Sequence, residues 1–253
     1  MSRKLTFGLV GLVALIAAGG AFWYFVIRDD SPPPVSLDSA LDSLNTPTAS
    51  ATNPPSAGET PAATVTAEPG GTNVSGLEGS WELDSSANNF VGYRVQEELA
   101  QIGSTTAVGR TSNVTGSMVV ANGQVEPGAT FVADMTSLRS DSSLRDSQLR
   151  NQGIQFGRFP TSTFTLTQAI AIPAGFAEGE RLSTTLSGTF ELHGVTKPVE
   201  IPVEAQLANG VIVVVGSILI EFADYEITAP SAARVLSIED RGIMEFQLFF
   251  RPS

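Results

Sequence analysis

The chain has 253 residues, no cysteine, one histidine and a formal net charge of −12. The absence of cysteine excludes disulfides, iron–sulfur clusters and thiol catalysis. Because Lys197 is the only lysine beyond residue 4, no basic stripe can neutralise phosphates, and nucleic acid is not an expected partner.

Residues 1–28 predict a transmembrane anchor. An uncharged run over residues 5–27 follows Arg3-Lys4, and a helix of about 20 residues crosses the bilayer core. A cleaved signal peptide is the alternative, because Gly19-Gly20-Ala21 could serve as the cleavage site. The apolar run continues beyond that site through several aromatic residues, which favours a retained single-pass anchor. The basic N-terminus should then face the cytoplasm and the rest of the chain should lie outside.

Residues 29–78 predict a disordered linker. Proline, serine, threonine, alanine and glycine dominate this stretch, and it contains no aromatic residue. Its apolar surface is too small to offset the entropy lost on ordering. We expect the linker to hold a folded domain away from the bilayer, with a recognition tail or an O-glycosylated stalk as alternatives.

Residues 79–253 predict an all-β domain. Apolar and polar residues alternate with period two, most clearly over residues 199–207 and 244–250, which indicates antiparallel strands with one wet face. Turn signals such as Asn209-Gly210 separate the strands. About eight strands result, the number that closes a lipocalin-like barrel just wide enough for one small ligand.

Two stretches of this domain depart from simple alternation. Residues 211–215 are continuously apolar and predict a strand that is shielded on both faces. Residues 141–151 predict a short helix, which Asp141 or Ser142 can cap and Gly153 can end. A helix inserted among hairpins suits a lid or plug at the mouth of a barrel.

Catalytic chemistry is poorly represented in the sequence. His193 is the only histidine, so a multi-histidine metal site cannot form, and no nucleophile motif accompanies it. We therefore predict no catalytic residues, no metal and no cofactor. An enzyme acting on an apolar substrate stays as an alternative, with His193 or Arg145-Asp146 as its only candidate groups.

Several segments follow one another in the order known from one protein family. They are Trp81-Glu82-Leu83-Asp84, Arg145-Asp146 with Leu149, Phe159-Pro160 with Phe164, the stretch Gly-Thr-Phe-Glu-Leu-His-Gly-Val-Thr-Lys-Pro-Val at residues 188–199, and residues 220–225. Together they resemble the YceI-like domains, a bacterial polyisoprenoid-binding family, over residues 79–251. The resemblance implies a lipocalin-like barrel around a long apolar pocket for an isoprenoid or another long-chain amphiphile. True lipocalins are the nearest rival, since Gly79-Ser80-Trp81 fits their opening motif.

The sequence also departs from the family pattern at two places. Gln148 stands where a histidine is common, and Ile154-Gln155-Phe156 replaces a frequent aromatic pair. If these positions touch the polar head of the ligand, the ligand of this protein differs from the one that the family resemblance implies.

The apolar faces of separate strands should point into the barrel and line a ligand site. We expect the helix around Leu144 and Leu149 to close one mouth, with Arg145 available to hydrogen-bond a polar headgroup. The strand positions predicted to line the site are Phe164, Leu166, Leu186, Phe190, Leu192, Met244, Phe246 and Leu248.

The expected function is binding or shuttling of an isoprenoid, quinone or fatty-acid-like lipid at the extracytoplasmic face of the cytoplasmic membrane. The expected partners are the lipid and, through the N-terminal helix, the membrane. A homodimer is a further possibility that the sequence does not decide. The other alternative is an envelope interaction module that binds no ligand, which would require a barrel core filled by side chains.

Overall fold

The computed structural model describes residues 31–45, 76–100, 103–231 and 235–253. The predicted anchor, residues 1–28, and most of the predicted linker lie outside these ranges. Within the described ranges, no helix combines the length and the apolar character needed to cross a bilayer.

The described residues contain two α-helices, two short 3-10 turns and fourteen strands. The helices are α1 (Leu37–Asn45) and α2 (Ser143–Asn151), and the 3-10 turns are Met135–Ser137 and Phe222–Tyr225. The strands are β1 (Gly79–Leu83), β2 (Phe90–Leu99), β3 (Gly103–Thr111), β4 (Val114–Ala121), β5 (Gln124–Val125), β6 (Thr130–Asp134), β7 (Arg139–Ser140), β8 (Thr161–Leu166), β9 (Ile170–Ala171), β10 (Arg181–Leu192), β11 (Val195–Ala208), β12 (Val211–Glu221), β13 (Val235–Ile238) and β14 (Arg241–Pro252).

Eight of these strands close an antiparallel barrel. Around the ring, β14 pairs with β12, then β11, β10, β8, β6, β4 and β1 follow, and β1 pairs with β14 again. Closure satisfies the backbone hydrogen bonds of both edges, so the sheet has no exposed edge in this ring. The predicted all-β, eight-stranded, lipocalin-like barrel is confirmed.

The two ends of the barrel differ. Along β14, strand β1 pairs near Phe250, whereas β2 pairs near Phe246 and continues toward the start of β14. Strands β3, β7 and β13 and helix α2 lie at this second end, which we call the mouth. The opposite end, where β1 meets the end of β14, is the base.

Helix α2 begins and ends near the predicted residues. The Ser142 hydroxyl accepts a hydrogen bond from the Arg145 amide at 3.3 Å, which caps the first turn. Gly153 has φ of 57°, in the left-handed region where glycine carries no Cβ penalty, and the chain leaves the helix there. The predicted helix at the mouth is therefore confirmed.

The prediction of a wholly disordered linker over residues 29–78 is wrong for residues 37–45. Helix α1 packs Leu37 and Ala40 onto the outer face of the barrel, with Leu41 and Leu44 beside them. The Ser36 hydroxyl accepts a hydrogen bond from the Ser39 amide at 3.3 Å at the start of the helix. Composition averaged over fifty residues hid this short apolar stripe, whose members recur at helical spacing.

The covered surface explains the continuously apolar strand. In β12, Val211, Val213 and Val215 face outward and lie buried under α1, whereas Ile212 and Val214 face the barrel interior. The predicted shielding of residues 211–215 on both faces is confirmed, and the shield on the outer face is α1.

The segment before α1 covers a buried carboxylate. Glu245 points outward from β14 but is fully buried, and the Val35 amide donates a hydrogen bond to its Oε2 at 3.4 Å. Arg110 donates to Oε1 of the same carboxylate through Nε at 3.1 Å and Nη2 at 2.7 Å. Arg110 also donates to the Pro33 carbonyl at 3.2 Å, so one guanidinium joins the segment to the barrel.

Candidate ligand-binding lumen

The barrel interior is hollow and holds two cavities. The larger, here the upper chamber, has a volume of about 990 Å³ and lies toward the mouth. The smaller, here the lower chamber, has a volume of about 150 Å³ and lies toward the base. Closed barrels of eight strands are at the size limit where side chains either fill the interior or leave room for one ligand.

The upper chamber has mostly apolar walls. Strand β2, the start of β14, helix α2 and the segment from Ile220 to Pro230 contribute most of its lining. Its charged lining residues in the described part of the chain are Glu97, Asp141 and Arg145. Such a surface favours a ligand that is largely hydrocarbon with a small polar end.

Arg145 on α2 is already engaged by two carboxylates. Its Nη2 lies 2.5 Å from Oε1 of the buried Glu97, and its Nη1 contacts Asp141, which lies just before the start of the helix. Burial by itself would lower the pKa of Arg145, but the hydrogen bond and charge of Glu97 outweigh burial, and the pKa is raised. The guanidinium therefore stays charged and ties the lid helix to β2.

Tyr93 brings a second polar group to the wall between β2 and α2. Its ring lies over Gly109 on β3, where an added Cβ would come within 2.4 Å of Cε1, so only glycine leaves room for it. Its buried hydroxyl has no hydrogen-bond partner among the described residues. Burial, as the main cause, raises the pKa of Tyr93 well above its usual value, so the hydroxyl stays protonated at neutral pH.

The lower chamber is almost entirely apolar. Phe164 and Leu166 from β8, Leu186 from β10, and Phe246 and Leu248 from β14 form much of its wall. A dry apolar cavity of this volume is stable without water because water would find no polar partners in it.

The comparisons with known proteins agree with this geometry. A family model for the YceI-like domain matches residues 81–250, which is more than half of the chain. The chain belongs to the YceI-like family. The resemblance predicted from the sequence motifs is therefore confirmed. A search of curated proteins found no match.

Two solved structures have a similar fold. A polyisoprenoid binding domain from Saccharophagus degradans, implicated in plant cell wall breakdown, aligns with a TM-score of 0.55 and 22% identity, covering 68% of this chain and 98% of that one. BcnA from Burkholderia cenocepacia aligns with a TM-score of 0.50 and 14% identity, covering 66% of this chain and 98% of that one. At these identities the likeness shows a shared fold.

Every predicted site residue lines one of the two chambers of this YceI-like barrel. The residues that line only the upper chamber are Leu144, Arg145, Leu149 and Leu192. The residues that line only the lower chamber are Phe164, Leu166, Leu186, Phe246 and Leu248. Phe190 and Met244 line both chambers. Contact of these side chains with a ligand stays a prediction.

Sequence reasoning missed the contribution of β2 and of the segment after β12. Val91, Tyr93 and Val95 alternate with Gly92 and Arg94 on β2, a period-two pattern that could have identified them. Ile220, Phe222, Ile227 and Pro230 also line the upper chamber. Ile220 continues the inward-facing row of β12, so period-two alternation could have identified it as well. Phe222, Ile227 and Pro230 lie in or after the 3-10 turn, and no periodicity in the sequence places them inside.

The two departures from the family pattern lie at the upper chamber. Gln148 and Ile154 both line it, and the Gln148 amide donates to the Ser231 carbonyl at 3.5 Å. Phe156 instead lies fully buried, with the Arg150 guanidinium 5.0 Å from its ring centroid. Gln148 and Ile154 therefore belong to the wall of the upper chamber, whereas Phe156 packs outside it.

His193 stands apart from both chambers. It lies in the turn between β10 and β11 with φ of 54°, and its Nδ1 is 2.9 Å from the Tyr225 carbonyl. Its ring packs edge-on against Phe159 with centroids 4.5 Å apart. These contacts hold the 3-10 turn at Tyr225 against the hairpin, which is a structural role. Within the described ranges, no cluster of potential ligating side chains could hold a metal ion.

Proposed function

We propose that this protein binds a long-chain amphiphilic lipid, of the isoprenoid, quinone or fatty-acid type, in the barrel lumen. The hydrocarbon chain occupies the upper chamber and the polar end lies near α2 at the mouth. Residues 5–27 anchor the protein in the cytoplasmic membrane with the N-terminus inside, so that the barrel works at the extracytoplasmic face. In this position the protein can take up a lipid from the bilayer and hand it on.

The observation that carries the proposal is the apolar upper chamber, a cavity of about 990 Å³. Ligand cavities in proteins are typically about 300–1,000 Å³ and mostly apolar. Burying about ten methylenes gives about 8 kcal/mol before the costs of association. One solved relative in fold is described as a polyisoprenoid binding domain, which supports the same class of ligand.

The competing functions are less well supported. A module that binds no ligand needs a filled core, whereas this lumen is hollow. An enzyme needs polar groups that converge on a substrate. Asp146 instead accepts hydrogen bonds from the Ser140 amide at 3.0 Å and the Ser140 hydroxyl at 2.7 Å, which tie α2 to β7.

Lipid analysis of the full-length chain tests the proposal. Leu192→Trp places a large ring in the upper chamber, whereas Leu219→Trp places the same ring on the exposed outer face of β12. We expect the wild-type chain and Leu219→Trp to retain a stoichiometric long-chain amphiphile through gentle purification, and Leu192→Trp to lose it. Equal lipid content in all three proteins, or no stoichiometric lipid in any, would contradict the proposal.

Topology has a separate test. N-terminal sequencing of the mature protein should find the intact N-terminus of a retained anchor. A mature chain that begins near Phe22 would mean a cleaved signal peptide and would remove the anchor from the proposal.

A further inference from the structure

A ring of four side chains separates the two chambers. Val91, Ser162, Phe190 and Met244 line both the upper and the lower chamber. Val91 and Met244 come from the neighbouring strands β2 and β14, and Ser162 and Phe190 from the neighbouring strands β8 and β10. In the order of strands around the barrel these two pairs lie opposite each other. We call these four residues the septum.

One wall of the septum is held rigidly. The Phe190 ring packs edge-on against Tyr225 with centroids 5.8 Å apart, and it belongs to the same buried cluster as Ile220 and Ile227. The Ser162 hydroxyl donates a hydrogen bond to the Glu191 carbonyl at 2.8 Å. Neither side chain can move far without breaking contacts behind it.

The side chains of the opposite wall differ in how freely they can change rotamer. Met244 is only partly buried, and its unbranched side chain has three rotatable bonds, so it is the septum residue that can most readily change rotamer. Val91 is also partly buried, but its branched side chain has few rotamers. Passage between the chambers therefore depends mainly on Met244.

We propose that the septum sets the length of chain that the lumen accepts. This inference rests on the proposed lipid-binding function. A chain fills the upper chamber from the mouth and meets the septum with its far end. A longer chain enters the lower chamber only when the Met244 side chain leaves the passage. An apolar cavity of about 150 Å³ holds a benzene-sized group, so the lower chamber accepts about one further isoprene-sized unit and no more.

The proposal predicts a specific dependence of affinity on chain length. Each added methylene that finds room should tighten binding about fourfold, because burial of a methylene has a nearly constant free energy. In the wild type, affinity should stop rising near the length that fills the upper chamber, because the Met244 side chain occupies the passage. With the passage open, it should stop at the length that fills both chambers. The length at which it stops is the quantity that the septum controls.

Three variants test the proposal with the full-length chain in lipid nanodiscs. The probes are straight-chain alcohols from decanol to docosanol, which compete for a lumen-bound fluorescent fatty alcohol. Met244→Ala opens the passage, Val91→Phe closes it, and Leu219→Ala changes the exposed outer face as the matched control. We expect the limiting length to increase in Met244→Ala, to decrease in Val91→Phe and to stay unchanged in Leu219→Ala.

The outcomes separate this inference from the function on which it rests. If the alcohols bind saturably but all the variants share one limiting length, the septum does not set the chain length. That result would leave the proposed lipid-binding function unaffected. If no alcohol binds saturably to any of them, the proposed function itself fails. Should Val91→Phe fail to fold, Met244→Ala still decides, because only an increase in the limiting length agrees with the proposal.

Discussion

The same two strands present an apolar row on each side of the barrel wall. On the outside, Val211, Val213 and Val215 of β12 and Phe249 of β14 lie under α1. On the inside, alternate residues of these strands face the lower chamber. The chain covers the outer row with its own helix, whereas the inner row lines the lower chamber. An apolar cavity is where a ligand is expected.

The two rows should also respond differently to mutation. A side chain under α1 has packing partners on all sides, so shortening it removes many contacts and opens a void. A side chain that faces the hollow lumen lacks partners on one side already and has fewer contacts to lose. Stability should therefore depend more on the outer surface, and ligand binding on the inner one.

The largest loss of stability is expected at Glu245, the buried carboxylate on the outer face of the barrel. Glu245→Gln leaves Arg110 and the buried Arg94 without the carboxylate that lies 2.7 Å and 3.7 Å from them. Breaking a buried ion pair from one side costs about 3–5 kcal/mol, so we expect a loss of that order in urea unfolding. The half-exposed Glu239, which pairs with Arg241, is the control, and Glu239→Gln should change stability by less than about 0.5 kcal/mol. Similar small losses in both variants would contradict the assigned role of Glu245.

A matched pair of leucines compares the two surfaces directly. Leu37→Ala shortens a side chain that α1 buries against the outer face of the barrel and should cost about 2 kcal/mol in unfolding free energy. Leu192→Ala shortens one that faces the upper chamber and should cost about 1 kcal/mol. Lipid content should follow the reverse order and fall only in Leu192→Ala. Thermal unfolding and lipid extraction of both variants check the prediction, and the same ranking in both measurements would contradict it.

The smallest effect concerns acid stability at the mouth. The Asp134 carboxylate accepts hydrogen bonds from the Thr136 hydroxyl at 2.6 Å and its amide at 2.8 Å, and these bonds hold the pKa of Asp134 below its usual 3.8. A lowered carboxyl pKa contributes stability above about pH 4 that is lost as the pH falls through the folded-state value. Asp134→Asn should therefore lose less stability than the wild type between neutral and strongly acidic pH. The measurement is the unfolding free energy of both proteins as a function of pH. An equal fall in both proteins at acidic pH would contradict this prediction.

The strands and the lid helix could be predicted because their signals are local. Period-two alternation placed Phe246 and Leu248 on the inner face, and the cap at Ser142 with Gly153 placed α2. Both signals lie within a dozen residues of sequence and need no partner to be recognised. The position of Arg145 was predicted on the same basis, but its engagement by Glu97 on β2 was not, because a strand forty-eight residues away supplies the partner.

The sequence by itself determined the strands, their inward faces, the lid helix and the family. Only the tertiary structure decided that residues 37–45 form a helix and that the lumen is hollow. A nine-residue helix is not stable alone in water, so α1 depends on the apolar row of β12 and β14 against which it packs. Hollowness depends on how side chains from opposite walls fill the space between them, as at Phe190 and Met244. A pattern along one strand carries no information about that distance.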